Sequence, residues 1–296
     1  MDFKSIWQAT VALGLIGISL GGCGNGEQSV LPEENVPLAP TVTQTTAEPT
    51  PYIVASEDFT NLQIDNAQIP VYDKLTLKDR RAIGLTTVLP SLFPYHNGKI
   101  AYLTFDDGPD AENTPAILDI LRDEQVKATF YVIGKNAETH PDAIMRIFAE
   151  GHAIGNHSYD HNYDRLYASV DDYLDEMEQT DEVIHNIIGV RPLVTRAPGG
   201  GTYFTEEYLL SLIENGYVTH DWNVSSADTD PNDPTAQDFV DNIESQSIME
   251  NAIILMHCSQ GHEETVKALP QIIQVLRDKG YTFGVITPMT PQPYDF

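Results

Sequence analysis

Residues 100–108 read Ile-Ala-Tyr-Leu-Thr-Phe-Asp-Asp-Gly, an apolar and β-branched run that stops at two adjacent carboxylates. Such a run predicts a buried strand with the two aspartates at its carboxyl end. Neighbouring carboxylates are unfavourable unless a cation compensates them, so this strand end indicates a metal site. An acidic turn closed by Gly108-Pro109 is the simpler alternative.

Six more short runs of this kind follow, and stretches with helical spacing separate them. Predicted strands lie at 127–133, 152–156, 192–197, 216–222, 252–257 and 281–286, and predicted helices at 114–124, 141–150, 169–188, 205–215, 234–247 and 265–279. This alternation predicts parallel strands joined by crossover helices, in an open doubly wound sheet or a closed barrel. Because no GxGxxG follows the first strand and no GxxxxGK occurs, the barrel is favoured.

Two histidines follow the third predicted strand, where a barrel places its chemistry. His157 and His161 are four residues apart, and we expect them on one face of a helical turn. With Asp107 they form a set of two imidazoles and one carboxylate, which suits Zn²⁺ and also fits Co²⁺, Ni²⁺ or Fe²⁺. The adjacent Asp106 would then face a water molecule as a general base.

Later strand ends bring Arg196, Asp221 and His257 to the same rim. Arg196 precedes a glycine-rich segment and can pair with a carboxylate through both arms of its guanidinium. A surface arginine beside a glycine turn and a histidine satisfied in the core are the simpler interpretations. Their position beside the metal set favours a hydrolytic site.

The order of these motifs resembles the polysaccharide deacetylases of carbohydrate esterase family four, the NodB-homology domain. The resemblance extends from about residue 100 to 286 and is carried by TFDDG at 104–108, HSYDH at 157–161, RAPGG at 196–200, DW at 221–222 and LMH at 255–257. It implies an α/β fold, a deformed (β/α)7 TIM-like barrel, which holds a divalent metal and removes acetyl groups from N-acetylated sugars.

The resemblance also implies roles for the rim residues. In the family the first aspartate of TFDDG is the base and the second is a metal ligand, which correspond to Asp106 and Asp107. His157 and His161 would complete the metal site. His257 would be the general acid that protonates the departing amine.

Five further positions acquire roles in the same way. Arg196 would hold the catalytic aspartate, and Asp221 would orient that arginine. Leu255 and Trp222 would line a pocket for the acetyl methyl group. The backbone N–H of Gly199 would help to hold the oxyanion, although many relatives carry a larger residue there, often tyrosine.

Cys258 follows His257 where an acidic residue is common in relatives. It is either a small buried residue or a reactive thiol. The chain has two cysteines, too few to indicate a disulfide framework.

The first 22 residues have the features of an export signal. The apolar run at 6–20 is too short and too polar for a stable spanning helix. The segment Leu20-Gly21-Gly22-Cys23 resembles the lipobox of bacterial lipoproteins. It implies acylation of Cys23 and anchoring to the bacterial cell membrane, facing the wall or periplasm; a plain cleaved signal with a chance cysteine is the alternative.

The rest of the chain divides by composition. Residues 23–52 are rich in Pro, Thr, Glu and Gln and predict a disordered linker. We expect residues 53–98 to be an N-terminal extension docking on the barrel, 99–290 the catalytic domain and 291–296 a tail.

The 296 residues include 44 acidic and 16 basic side chains, a formal charge of −28, which disfavours a nucleic-acid partner. A barrel of this size needs no partner to bury its core, so we expect a monomer. The predicted activity is N-deacetylation of N-acetylglucosamine residues in a cell-envelope polysaccharide, either peptidoglycan or a chitin-like oligomer. The alternatives are an O-acetyl esterase acting on xylan or peptidoglycan and a non-catalytic glycan-binding lipoprotein.

Overall fold

The computed structural model of the chain describes residues 52–63, 66–94, 98–248 and 250–293. The predicted signal peptide, Cys23 and almost all of the predicted linker lie outside these residues. Within the described ranges, no helix combines the length and apolar character that crossing a bilayer requires.

Eleven strands and nine α-helices occur in the described residues. The strands are β1 (Ile53–Val54), β2 (Val71–Asp73), β3 (Ile100–Asp106), β4 (Thr129–Val132), β5 (Ala153–Asn156), β6 (Arg191–Pro192), β7 (Val194–Thr195), β8 (Val218–Thr219), β9 (Val224–Ser225), β10 (Asn251–His257) and β11 (Thr282–Gly284). The helices are α1 (Leu77–Ala82), α2 (Asn113–Asp123), α3 (Gly134–Thr139), α4 (Pro141–Ala149), α5 (Tyr163–Leu166), α6 (Val170–Ile188), α7 (Glu206–Glu214), α8 (Ala236–Ser245) and α9 (Glu263–Asp278).

The central sheet is parallel throughout and has the order β8-β7-β5-β4-β3-β10-β9, with β11 also paired to β3. All seven residues of β3 are buried, as expected for a strand covered on both faces. In the described part of the chain, β8 and β9 do not pair with each other, so the curled sheet stays open there. The predicted deformed (β/α)7 barrel is confirmed.

Helix ends follow from local sequence. The Ser169 side chain accepts a hydrogen bond from the Asp172 N–H and thereby caps the start of α6. Gly189 ends the same helix at φ 76°, a left-handed conformation that glycine adopts without strain. These two signals place the longest helix within a residue or two of its predicted bounds.

A second, three-stranded sheet has the order β1-β2-β6, and its β2 and β6 are antiparallel. Asp73, the last residue of β2, and Arg191, the first residue of β6, belong to a buried ion cluster in which Arg191 contacts Asp73 at 3.0 Å and Asp181 at 3.3 Å. Arg80 from α1 forms a further ion pair with Asp73. Asp73 and Arg80, from the range 53–98, therefore share one set of buried charges with Asp181 and Arg191, from the range 99–290.

We expect Arg191→Ala to lower the free energy of unfolding by about 3–5 kcal/mol, because it leaves buried carboxylates without their partner. Arg122→Ala is the control, since its guanidinium is 57% exposed and pairs with exposed aspartates, so that a loss of about 0–1 kcal/mol is expected. Denaturant unfolding of both variants measures the difference. Equal losses would contradict a stabilising role for the buried cluster.

Candidate active site

Parallel pairing brings the predicted rim residues together. Asp106 is the last residue of β3, and it lies directly opposite His257, the last residue of β10. Neighbouring strands are about 4.8 Å apart, so these two side chains emerge beside each other at one edge of the sheet. His157 follows β5 at the same edge.

Asp107, His157 and His161 converge. The Asp107 Oδ1 atom lies 3.4 Å from the Nε2 atom of His157 and 3.4 Å from that of His161. That carboxylate oxygen is buried and has no hydrogen-bond partner. Since an unpartnered buried acceptor is unfavourable, the three side chains fit a cation held between them.

The tautomer of His157 supports the same conclusion. Its Nδ1 atom lies 2.8 Å from the carbonyl oxygen of Arg196. A carbonyl can only accept, so Nδ1 carries the proton and Nε2 keeps its lone pair toward Asp107. Two imidazoles and a carboxylate are a ligand set for Zn²⁺ or a related divalent ion.

The predicted helical turn at HxxxH is wrong. Ser158 has φ 68° and His161 has φ 59°, so the segment is a loop with left-handed residues. The Asn156 side chain accepts from the Ser158 N–H at 3.1 Å, and the Ser158 hydroxyl accepts from the His161 N–H at 3.1 Å. These local bonds replace helical ones and turn both imidazoles toward Asp107.

Asp107 itself has φ 69°, a strained conformation for a residue with a side chain. Burial raises the pKa of its carboxyl, but the neighbouring imidazoles of His157, His161 and His257 outweigh burial and hold that pKa well below the usual range. Asp107 is therefore an anion, as a metal ligand must be.

Asp106 is held by a buried arginine. Arg196 is fully buried, and its Nη1 atom donates to Asp106 Oδ1 at 2.9 Å and to the Thr104 hydroxyl at 2.7 Å. Its Nε atom donates to the His220 carbonyl at 3.0 Å. The other oxygen of Asp106 lies 3.8 Å from His157 Nε2 and so faces the three converging side chains of Asp107, His157 and His161.

Asp221 contacts the arginine through its backbone. Its carbonyl oxygen accepts from Arg196 Nη2 at 3.3 Å, whereas its carboxylate accepts from the backbone N–H groups of Gly201 and Trp222 at 3.0 and 3.1 Å. The carboxylate thus organises the glycine-rich loop, and the hydrogen bond to the guanidinium comes from the main chain.

His257 has a partner that the sequence analysis missed. The Asp228 carboxylate accepts from His257 Nδ1 at 2.9 Å, from the His257 N–H at 2.7 Å and from the Thr265 hydroxyl at 2.9 Å. Burial disfavours the charged imidazole, but the hydrogen bond and charge of Asp228 outweigh it and raise the pKa of His257 to about 9. The sequence feature that could have identified Asp228 is its position shortly after β9, but that strand has only two residues.

The predicted substrate-binding positions lie around this centre. Leu255 is 8% exposed and lies two residues before His257 on β10. The six-membered ring of Trp222 lies 3.0 Å from where a Cβ on Gly200 would be, so the loop can approach the tryptophan closely only with glycine there.

Gly199 has φ 76°, and a Cβ there would lie 2.9 Å from the Tyr163 hydroxyl. A side chain at this position would be strained and would displace Tyr163. Cys258 is fully buried, and burial raises the pKa of its thiol. This favours a packing residue over a reactive thiol.

Known proteins share this architecture. The model of the polysaccharide deacetylase family matches residues 95–220. A peptidoglycan-N-acetylglucosamine deacetylase from Bacillus cereus is 36% identical over 219 residues, which cover 72% of this chain and 79% of that protein.

Solved structures agree with the sequence matches. A polysaccharide deacetylase from Bacillus cereus superposes with a TM-score of 0.61 at 36% identity, over 67% of this chain and 97% of that one. A family-four carbohydrate esterase from Streptococcus mutans superposes with a TM-score of 0.61 at 30% identity, over 70% of this chain and 94% of that one. The predicted enzyme class, a deacetylating hydrolase, is confirmed, and the chain belongs to the polysaccharide deacetylase family.

Proposed function

We propose that the chain is a metal-dependent deacetylase of peptidoglycan, which hydrolyses the N-acetyl group of N-acetylglucosamine residues and releases acetate. The observation that carries this proposal is the pairing of Asp106 with His257 across adjacent strands, beside the three converging side chains of Asp107, His157 and His161. A base, an acid and a metal-ligand set at one edge are the parts that amide hydrolysis requires.

Asp107, His157 and His161 would hold the metal, and Zn²⁺ is the ion that this ligand set suits best. Co²⁺, Ni²⁺ and Fe²⁺ accept the same ligands. When bound, a divalent ion polarises a substrate carbonyl and lowers the pKa of a water molecule.

The chain's own residues would move the protons. Asp106, oriented by Arg196, would take a proton from the water that attacks the acetamide carbon. The backbone N–H of Gly199 would donate to the developing oxyanion. His257, kept protonated by Asp228, would then deliver a proton to the nitrogen of the departing amine, which leaves as a neutral group.

Asp221 would act as a positioning residue, because its carboxylate contacts only loop N–H groups among the contacts described above. Leu255 and Trp222 would line the apolar side of the acetyl pocket. These assignments agree with the family resemblance of the individual motifs.

The substrate proposal rests on the Bacillus cereus relative, whose name gives peptidoglycan N-acetylglucosamine as its substrate. We also propose an export signal at 1–22, a lipid anchor on Cys23, a linker at 23–52, an extension at 53–98, a catalytic domain at 99–290 and a tail at 291–296. An anchor of this kind would keep a monomeric enzyme beside the cell wall.

An O-acetyl esterase is the second candidate, because the Streptococcus mutans relative is named an esterase. Initial rates of acetate release from purified peptidoglycan, chitooligosaccharides and acetylated xylan distinguish the two. Faster release from the N-acetylated polymers supports the proposal, whereas release from xylan alone would overturn it. No release from any of them with zinc bound would indicate a glycan-binding role.

Chelation should abolish acetate release, and added Zn²⁺ or Co²⁺ should restore it. His161→Gln removes one ligand and should weaken zinc binding by at least about 10-fold to 100-fold, the scale already found for supporting residues of metal sites. His185→Gln is a matched control, because His185 lies on α6 and bonds only the Lys74 carbonyl among its described contacts. Full activity in a metal-free sample would refute the metal requirement.

A further inference from the structure

A second group of potential metal ligands lies beside the catalytic acid. One ligand atom each from Asp228, His257 and His262 lies within 4.8 Å of the other two. The imidazole of His262 stacks on that of His257, with ring centroids 5.1 Å apart and an angle of 23° between the planes. The set again comprises two imidazoles and one carboxylate, the combination that favours zinc-like ions over Mg²⁺ or Ca²⁺.

The loop before α9 prepares His262 for this role. Its Nδ1 atom lies 3.1 Å from the Ser259 carbonyl and 3.2 Å from the Ser259 hydroxyl. The carbonyl can only accept and the hydroxyl can also accept, so a proton on Nδ1 satisfies both contacts. The lone pair is therefore on Nε2, and the hydrogen bond to the carbonyl fixes the ring, as in established metal sites. The reaction described above assigns no task to His262.

We propose that Asp228, His257 and His262 form a second, weaker site for Zn²⁺ and similar ions, and that its occupancy inhibits the enzyme. The site is weaker than the first because the Asp228 carboxylate already accepts three hydrogen bonds, from His257 Nδ1, the His257 N–H and the Thr265 hydroxyl, whereas Asp107 Oδ1 has no partner. Zinc added beyond one ion per chain would thus lower the activity that the first bound ion supports.

Inhibition follows from what His257 loses, and this part rests on the proposed function. A zinc–nitrogen bond to either ring nitrogen forms as a proton leaves to solvent. If Nδ1 is the ligand, Asp228 no longer holds the imidazolium, and if Nε2 is the ligand, no proton remains for the departing amine. In both cases the general acid is removed.

Zinc binding at the second site is measured independently of enzymatic activity. The full chain with His157→Gln and His161→Gln lacks the first site, and equilibrium dialysis should still find one zinc per chain. Adding His262→Gln should weaken that binding at least about tenfold, while adding His185→Gln should leave it unchanged. Unchanged binding in the His262 variant, or no zinc bound before it is made, would overturn the proposal.

Activity supplies the second readout. Acetate release by the chain with native ligands should rise with the first equivalent of Zn²⁺ and fall as more is added, and Mg²⁺ should not cause the fall. His262→Gln, with His262→Asn as a second variant and thermal unfolding as the folding check, should need at least about tenfold more zinc for the same inhibition. Inhibition at the same zinc concentration in both variants would overturn the proposal. A chain that binds the second zinc but releases no acetate would instead refute the proposed function.

Discussion

Asp106→Asn is expected to lower kcat/KM for acetate release by about 10²-fold to 10⁴-fold, the usual scale for a positioned base. The amide keeps the size of the carboxylate and can still accept from Arg196 through its oxygen. It cannot take a proton from water. Initial rates on chitooligosaccharides measure the effect, and zinc content after dialysis should equal that of the unchanged chain, because Asp107, His157 and His161 are untouched.

Asp110→Asn is the matched control, because Asp110 follows the same strand and its carboxylate accepts from the Thr114 N–H, in the first turn of α2, at 2.8 Å. Its activity should stay close to that of the unchanged chain. If Asp106→Asn retained full activity with zinc bound, another residue would have to be the base.

Asp228→Asn is expected to reduce kcat by about 10²-fold or more near neutral pH, nearly as much as His257→Asn. The reason is the protonation state of the acid. Asp228 raises the pKa of His257 to about 9, so the active cation persists up to that pH and is lost above it. Burial lowers the pKa of the imidazole, and without the Asp228 carboxylate only the charges of Asp106 and Asp107 oppose burial, so that the pKa of His257 falls.

The profile of kcat against pH checks this expectation. For the unchanged chain the alkaline limb should fall near pH 9, and in Asp228→Asn it should move to lower pH. Asp230→Asn, two residues away and exposed, should leave the limb in place. An unmoved limb in Asp228→Asn would show that Asp228 does not control the acid.

The pair of Asp228 and His257 also stabilises the folded state, and this contribution depends on pH. The pKa of His257 is raised from its usual 6.5 to about 9 on folding. Its contribution to the free energy of unfolding is therefore complete below about pH 6.5 and is lost as the pH rises through about 9.

Long strands were the most predictable part of this fold. The apolar runs of β3 and β10 predicted strands within a residue of those observed, because the seven buried residues of β3 and the five of β10 leave a clear pattern. The two residues of β9 leave none, and they could be recognised only through their pairing with β10. Since Asp228 follows β9, the partner of His257 was missed for the same reason.

The convergence of Asp107, His157 and His161 could be predicted because the parallel strands that precede them end at one edge of the sheet. The backbone conformation of the segment that carries the two histidines could not be predicted. The spacing of the two histidines suggested a helical turn, yet hydrogen bonds from Asn156 and Ser158 hold a left-handed loop instead. Side-chain bonds to a neighbouring backbone compete with helix formation, and spacing alone does not reveal which prevails.

Hydrolysis of an amide on a glycan is tested most directly by the ratio of two products. The full chain, saturated with zinc, is incubated with purified peptidoglycan, and both acetate and new primary amines on the glycan are quantified over time. N-deacetylation predicts that amine appears in step with acetate at equal amounts, and that neither appears with Asp106→Asn. Acetate without new amine would show that the enzyme hydrolyses O-acetyl esters and would contradict the proposed N-deacetylation.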